Sequence, residues 1–262
     1  MPYRIDVRAS PGALDALIDF GALDVEGADG ALTALMPDHV TAAAIARALG
    51  LRDLSVTPAI GRDNDSVWTL KPRPVQIGRI RIVPADTHLE PGAVRLLDTS
   101  AFGTGLHPTT ALCLEALDED AGAEPPASLL DVGTGSGILT LAALRLGVPQ
   151  VVAVDIDAEA VRVARRNAAL NGVAARVTLL CGGPEAVAGM FPFVIANVLA
   201  APLIEMAPTL VRRVGRGGRL VLSGIPESTR DEVAHAYQHL GMRRIRDMAR
   251  AGWTAIVLAA SW

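Results

Sequence analysis

Cysteine, lysine and aromatic residues are all scarce in this 262-residue chain. Cys113 and Cys181 stand alone, which excludes a disulfide framework and leaves no cysteine-based metal spacing, so no metal is expected. No apolar run approaches the roughly 20 residues that a membrane span needs. Met1-Pro2-Tyr3-Arg4-Ile5-Asp6 lacks a basic stretch followed by an apolar one, so no secretory signal is expected and the protein reads as soluble and cytoplasmic. A basic excess is missing too. With 24 basic against 28 acidic residues the formal net charge is −4, which argues against direct nucleic-acid binding and mildly favours cationic partners. Lys71 is the sole lysine, and the other residues in that basic count are arginines. Aromatics make up 3% of the chain against a hydrophobic content of 50%, so the core must come mostly from Ala, Leu and Val. At this length and apolar content a sizeable core can be buried, in one domain or two.

Residues 1–58 show the order β-α-β-β-α-β of a ferredoxin-like unit. Residues 3–7 alternate as a strand does. Ser10-Pro11 predicts a helix with Ser10 as N-cap and Pro11 in the first helical position; Leu14, Leu17 and Ile18 keep helical spacing and Gly21 ends it. Strands are expected near 22–25, over 31–36 and over 53–57. A second helix is expected from Asp38 as N-cap to Leu49, with Gly50 in the position that follows the cap. Residues 59–97 form a linker and connecting strands: 61–66 are polar, Lys71-Pro72-Arg73-Pro74 cannot be helical, and strands fall at 78–83 and 94–97. Residues 98–262 then alternate apolar strands (128–132, 150–154, 176–180, 193–196, 219–223) with helices (138–146, 158–170, 203–214, 227–240). A last strand pair, 243–248 and 253–259, has no helix between its members. Short apolar runs suit strands buried on both faces. Repeated βα units predict a doubly wound parallel α/β sheet, here with an antiparallel edge.

The sharpest motif is Leu129-Leu130-Asp131-Val132-Gly133-Thr134-Gly135-Ser136-Gly137-Ile138, an apolar strand running through alternate glycines into a helix. Glycine lets the backbone turn tightly and approach a ligand past the carboxyl end of the strand. A dinucleotide fingerprint would space its glycines G-x-G-x-x-G and hold a pyrophosphate at the helix N-terminus. Here the spacing is G-x-G-x-G, and Asp131 before Gly133 disfavours a phosphate and favours a cationic amino group. Asp155 ends the next strand, 18 residues after Gly137, where a carboxylate accepts from both hydroxyls of a ribose. Asp157, directly before the following helix, suits an N-cap instead. Upstream, Phe102-Gly103-Thr104-Gly105 leads into His107-Pro108-Thr109-Thr110, a flexible turn before a helix whose first-turn hydroxyls can hold a carboxylate or merely cap. Asn197 ends an apolar strand, where its amide oxygen can accept from an amine or serve a turn. His235 and His239 are four apart but lack the Glu of H-E-x-x-H, so they read as a solvated helix face. Cys113, within an apolar helix, reads as core.

The glycine loop with Asp131 resembles motif I of the seven-strand S-adenosylmethionine (SAM) methyltransferases; SAM carries both an amine and a carboxylate. Ala101-Phe102-Gly103-Thr104-Gly105, His107-Pro108-Thr109-Thr110, Asp155-Ile156-Asp157, Ala196-Asn197-Val198-Leu199-Ala200-Ala201-Pro202-Leu203 and Leu222-Ser223-Gly224-Ile225 resemble the ribosomal protein L11 methyltransferase family in order, over roughly residues 98–260. The resemblance implies a Rossmann-like, doubly wound seven-stranded sheet and a small N-terminal ferredoxin-like domain that docks the protein substrate. It implies SAM as cofactor and methylation of lysine or other amino groups of ribosomal protein L11. It implies SAM contacts at Thr110, Gly133, Asp155 and Asn197; Phe102, Thr104, Asp131 and Gly135 join them as cofactor-binding candidates, and Asn197 is also the catalytic candidate. Trp68 lies where the family is rich in aromatics, but no tryptophan follows Pro84. A methyltransferase acting on another lysine-bearing protein or a small amine remains an alternative. An NAD-dependent oxidoreductase is disfavoured by Asp131 and the loop spacing.

Overall fold

The computed structural model describes residues 3–262 apart from 23, 29, 38, 53, 59–73, 88–91, 98–104, 122 and 123. Phe102, Thr104, Trp68 and the expected cap Asp38 therefore lie outside the described residues.

The N-terminal elements are β1 (Tyr3–Arg8), α1 (Ala13–Asp19), β2 (Asp24–Ala28), β3 (Ala31–Met36), α2 (Ala42–Ala48) and β4 (Val56–Pro58). Their strands form one antiparallel sheet in the order β2-β3-β1-β4, the ferredoxin-like arrangement. Alternation in β1 sends Ile5 and Val7 inward and Arg4, Asp6 and Arg8 to solvent, and Ile5, Leu17, Met36 and Ile45 share one core. Two helix starts differ from expectation. α1 begins at Ala13 because Gly12 sits at φ +82°, a left-handed conformation that interrupts the helix; Ser10 contributes only a turn, its carbonyl accepting from the Ala13 N–H at 3.0 Å. α2 is capped by Thr41, whose hydroxyl accepts from the Ala44 N–H at 3.3 Å. Its end is as expected: Gly50, at φ +66°, donates to Arg47 O while Leu51 N–H reaches back to Ala46 O.

A second, three-stranded sheet holds β5 (Val75–Ile77), β6 (Ile80–Pro84) and β7 (Val94–Leu96). The single strand expected over 78–83 is the second arm of a hairpin, turned at Gly78. Asp118 fastens that turn, accepting from the Arg79 backbone N–H at 3.1 Å and from its Nε at 2.8 Å.

The larger unit runs α3 (Pro108–Ala121), β8 (Leu129–Val132), α4 (Ile138–Arg145), β9 (Val151–Asp155), α5 (Ala158–Leu170), β10 (Val177–Cys181), β11 (Phe191–Asn197), α6 (Ala200–Arg213), β12 (Val214–Pro226), α7 (Arg230–Gln238), β13 (Met242–Arg250) and β14 (Trp253–Ala260). Its seven strands lie in the order β10-β9-β8-β11-β12-β14-β13. All pair in parallel except β14, which is antiparallel to both neighbours. Adjacent residues face opposite cores. Leu129, Val221 and Val257 pack with Leu114, Leu117 and Leu141 of α3 and α4, whereas Leu130, Leu222 and Leu258 pack with Leu203, Val233 and Tyr237 of α6 and α7. Burial on both faces explains the uninterrupted apolar strands. From β8 the chain winds outward through β9 and β10, then returns to β11 on the other side of β8. That reversal opens a crevice at the carboxyl ends of β8 and β11, where ligands of doubly wound sheets bind. No helix among the described residues is long and apolar enough to cross a membrane.

Candidate active site at the carboxyl ends of the sheet

The glycine loop follows β8 directly. Gly133, Gly135 and Gly137 have φ of +72°, +55° and +84°, conformations that disfavour any side chain. Gly133 and Thr134 donate to Val154 O at 2.9 and 3.0 Å, which binds the loop to the end of β9. Asp155 sits there. Its Oδ2 accepts from the Gly135 N–H at 2.9 Å and its Oδ1 from the Asp157 N–H at 3.0 Å. A carboxylate has about four acceptor positions, so each oxygen keeps capacity for a ligand hydroxyl. Asp157 is the N-cap of α5, accepting from the Glu159 N–H at 2.8 Å.

A residue that sequence reasoning missed braces the loop. Asn167, fully buried on α5, donates to Ser136 O at 2.8 Å and accepts from the Leu97 N–H at 3.0 Å. Its signal was an amide within the apolar stripe of an amphipathic helix, a position that demands a buried partner.

Asp131 is fully buried behind Val132 and Gly133 and is not part of the cavity wall. Its Oδ2 accepts from the hydroxyls of Thr134 and Thr140, both at 2.7 Å, while Oδ1 has no hydrogen-bond partner among the described residues. Burial pushes its carboxyl up to about 6, and the two threonine hydroxyls only partly oppose that. An unsatisfied buried carboxylate oxygen is what a nearby cation would stabilise.

The crevice is a cavity of about 450 Å³. Of the expected site residues, Gly133, Gly135, Asp155 and Asn197 line it. Thr110 lies behind the wall, fully buried. Most of the remaining wall is apolar, and Ile156 and Leu199 present large exposed side chains on it. Asn197 ends β11, and its Nδ2 donates to Thr110 Oγ1 at 3.3 Å. The segment after it is wedged between two glycines. A Cβ on Gly133 would come within 2.7 Å of Val198 Cγ1, and one on Gly224 would overlap the Val198 carbonyl.

His107 and Trp253 complete the wall, neither of them assigned from sequence. His107 Nδ1 accepts from the Thr109 N–H at 3.3 Å and lies 2.8 Å from the Thr109 hydroxyl. Burial, with His39 adding to it, lowers its value to about 4. The Trp253 ring lies edge-to-face with His107 at 5.3 Å and with His39 at 4.7 Å. His39 comes from the N-terminal unit, so this aromatic contact joins that unit to the cavity wall. Two glycines make the fit possible: a Cβ on Gly21 would come within 2.8 Å of Trp253 Nε1, and one on Gly252 within 2.7 Å of His39 Cδ2. Elsewhere, Cys113 is buried with its thiol pushed far up by desolvation, as a core residue should be. Among the described residues no group of three or more His, Cys, Asp or Glu side chains is placed to hold a metal ion.

A family model described as ribosomal protein L11 methyltransferase (PrmA) matches residues 30–261. The ribosomal protein L11 methyltransferase of Chromohalobacter salexigens is 44% identical over 200 residues, covering 74% of this chain and 66% of that protein. That of Brucella suis is 40% identical over 218 residues, covering 80% of this chain and 76% of that protein. The crystal structure of ribosomal protein L11 methylase from Lactobacillus delbrueckii subsp. bulgaricus superposes with a TM-score of 0.64 at 31% identity, over 71% of this chain and 96% of that one. The chain therefore spans about two thirds to three quarters of the curated relatives it matches, and it belongs to the ribosomal protein L11 methyltransferase family.

Proposed function

We propose that this chain is a SAM-dependent protein N-methyltransferase that acts on lysine or other amino groups of ribosomal protein L11. The carrying observation is one cavity that joins the Gly133–Gly135 loop and Asp155 to Asn197, in a chain of this family. The cofactor's chemistry fits the residues present: a ribose for the two oxygens of Asp155, and a cationic amine toward the unsatisfied Oδ1 of Asp131. Gly133 and Gly135 leave backbone room against it. When bound, SAM would supply an electrophilic sulfonium methyl whose leaving group is a neutral thioether, so no acid would be required.

The protein's task is to position a neutral amine. A lysine ammonium must first lose a proton from a group whose solution pKa is about 10.4, and an apolar site lowers that value. Val198, Leu199, Pro202, Met206 and Trp253 supply such a wall. His107, held at about 4, is a poor proton acceptor for an ammonium, which leaves desolvation as the main device. Asn197 accepts from the amine N–H and aims the lone pair. The formal charge of −4 suits a cationic target. We assign residues 1–58 to docking the protein substrate, 59–97 to the connection, and 98–262 to catalysis.

Incubation with labelled SAM and purified L11 should place label on amino groups of L11, read by peptide mass spectrometry. Label on other proteins or on a small amine, but none on L11, would overturn the substrate assignment. A second expectation concerns pH. Asp131 binds its proton more tightly in the fold than in the unfolded chain, so its contribution to stability is full below about pH 3.8 and is lost as pH rises through about 6. A bound cation favours the ionised form, so affinity for SAM should rise about tenfold between pH 5 and 7. Calorimetry should show that rise in the wild type and a flat profile in Asp131→Asn; a flat wild-type profile would separate Asp131 from the cofactor.

A further inference from the structure

We infer that Asn167 is a positioning residue for the cofactor: from behind the cavity it holds the Ser136–Gly137 peptide of the glycine loop, fastens it to β7, and thereby sets part of the affinity for SAM. This rests on the cofactor reading proposed above. Asn167 and Ser136 are both buried and neither lines the cavity, whereas Gly133, Gly135 and Asp155 do.

The loop needs a hold from outside because its own backbone resists little. Gly135 and Gly137 flank Ser136 at φ of +55° and +84°, and glycine populates both signs of φ about as readily. The peptide between Ser136 and Gly137 can therefore turn over at small cost to the chain. One end of it is held within the loop, where the Gly137 N–H donates to Thr134 O at 2.9 Å. The other end, Ser136 O, accepts from Asn167 Nδ2 at 2.8 Å. The residue before Ser136 is Gly135, whose N–H meets Asp155 Oδ2 at 2.9 Å. A turned peptide would pull on Gly135 and disturb the carboxylate that is to receive the ribose.

The helix α5 is seated for this task. Ala164, Asn167 and Asn171 recur along it at helical spacing. A Cβ on Gly137 would come within 3.2 Å of Ala164 Cβ, so helix and loop already touch there. Asn171 accepts from the Arg95 N–H at 2.9 Å and donates to Arg95 O at 2.8 Å, and Asn167 Oδ1 accepts from the Leu97 N–H at 3.0 Å. The two amides thus satisfy β7 as a neighbouring strand would. Asn171 stops at β7, whereas Asn167 reaches on to the loop. Ser136 O needs a donor and the Leu97 N–H an acceptor, and an amide offers both ends at once.

Asn167→Asp keeps the size and the acceptor for the Leu97 N–H but, ionised, has no proton for Ser136 O; Asn167→Ala loses both bonds. In each, the SAM Kd from calorimetry should rise at least tenfold, while kcat on L11 at saturating SAM stays within threefold of wild type. Asn171→Ala controls for a merely structural role, because it loosens the same helix from β7 without touching the loop. It should lower the urea midpoint, as Asn167→Ala does, and leave the SAM Kd within twofold of wild type. If Asn167→Ala fails to fold by circular dichroism, Asn167→Asp serves the same comparisons. A SAM Kd within twofold of wild type in a folded Asn167 variant would overturn the inference. So would an equal rise in Asn171→Ala, or a fall in kcat with the SAM Kd unchanged. Failure of both Asn167 variants to fold would make the residue purely structural and overturn it too. A wild-type protein that binds no SAM or leaves L11 unmodified counts against the proposed function instead.

Discussion

Asn197→Ala should cut methyl transfer to L11 about a hundredfold or more while SAM still binds within about tenfold of the wild-type affinity. The asymmetry follows from what the residue contributes. The cofactor would keep the glycine loop and both oxygens of Asp155, so most of its binding groups survive the change. The amine would lose its acceptor, and orientation of a nucleophile is worth several kcal/mol of barrier, with each 1.4 kcal/mol about tenfold in rate. Among the described residues that follow it in the wall, Val198, Leu199, Pro202 and Met206 carry no side-chain acceptor apart from a thioether to replace it. Single-turnover rates with L11 beside calorimetry for SAM separate the two effects. Full activity in this variant would remove Asn197 from the catalytic role.

The second large effect is expected at Gly224. Its φ of +84° disfavours any side chain, and an added Cβ would overlap the Val198 carbonyl oxygen and lie 2.6 Å from its carbon and 3.1 Å from its nitrogen. These are backbone atoms, and they cannot swing away as a side-chain tip can. Left-handed strain of about 1–2 kcal/mol and overpacking of about 1–3 kcal/mol together predict a loss of about 2–5 kcal/mol for Gly224→Ala. Any relaxation must displace Val198, and with it Asn197, so turnover should collapse even where the protein stays folded. Gly172 provides the control. It has a φ of +70° with nothing within 4 Å of an added Cβ, so Gly172→Ala should cost only the strain of about 1–2 kcal/mol. Urea unfolding of both variants measures the difference. Equal losses would show that the contact with Val198 costs nothing.

Features set by neighbours in the chain were legible in the sequence. The helix over 158–170, its cap Asp157 and the Gly50 helix end need only a few adjacent residues, and these were found where the periodicity put them. The start of α1 was misplaced by the same kind of rule. Ser10-Pro11 is a valid opening pattern, but Gly12 adopts a conformation that breaks it before the helix begins. Gly78 likewise turns a hairpin whose first arm, β5, precedes the strand expected over 78–83 and was not expected from the sequence.

The sequence by itself determined the alternation of strands and helices, hence a doubly wound sheet, and it located the glycine loop, Asp155 and Asn197. These follow from local periodicity and from chemistry at strand ends. Only the tertiary structure decided which side chains reach the cavity. Thr110 and Asp131 carry the right chemistry but lie behind the wall, whereas His107, Trp253 and Gly224 form part of it. Their positions depend on α3, β12 and β14 packing beside β8 and β11, segments up to more than a hundred residues apart. A hydrophobic pattern fixes which face of a strand is buried. It carries no information about which distant element covers that face or where the covering stops, and it is there, at the carboxyl edge of the sheet, that the cavity forms.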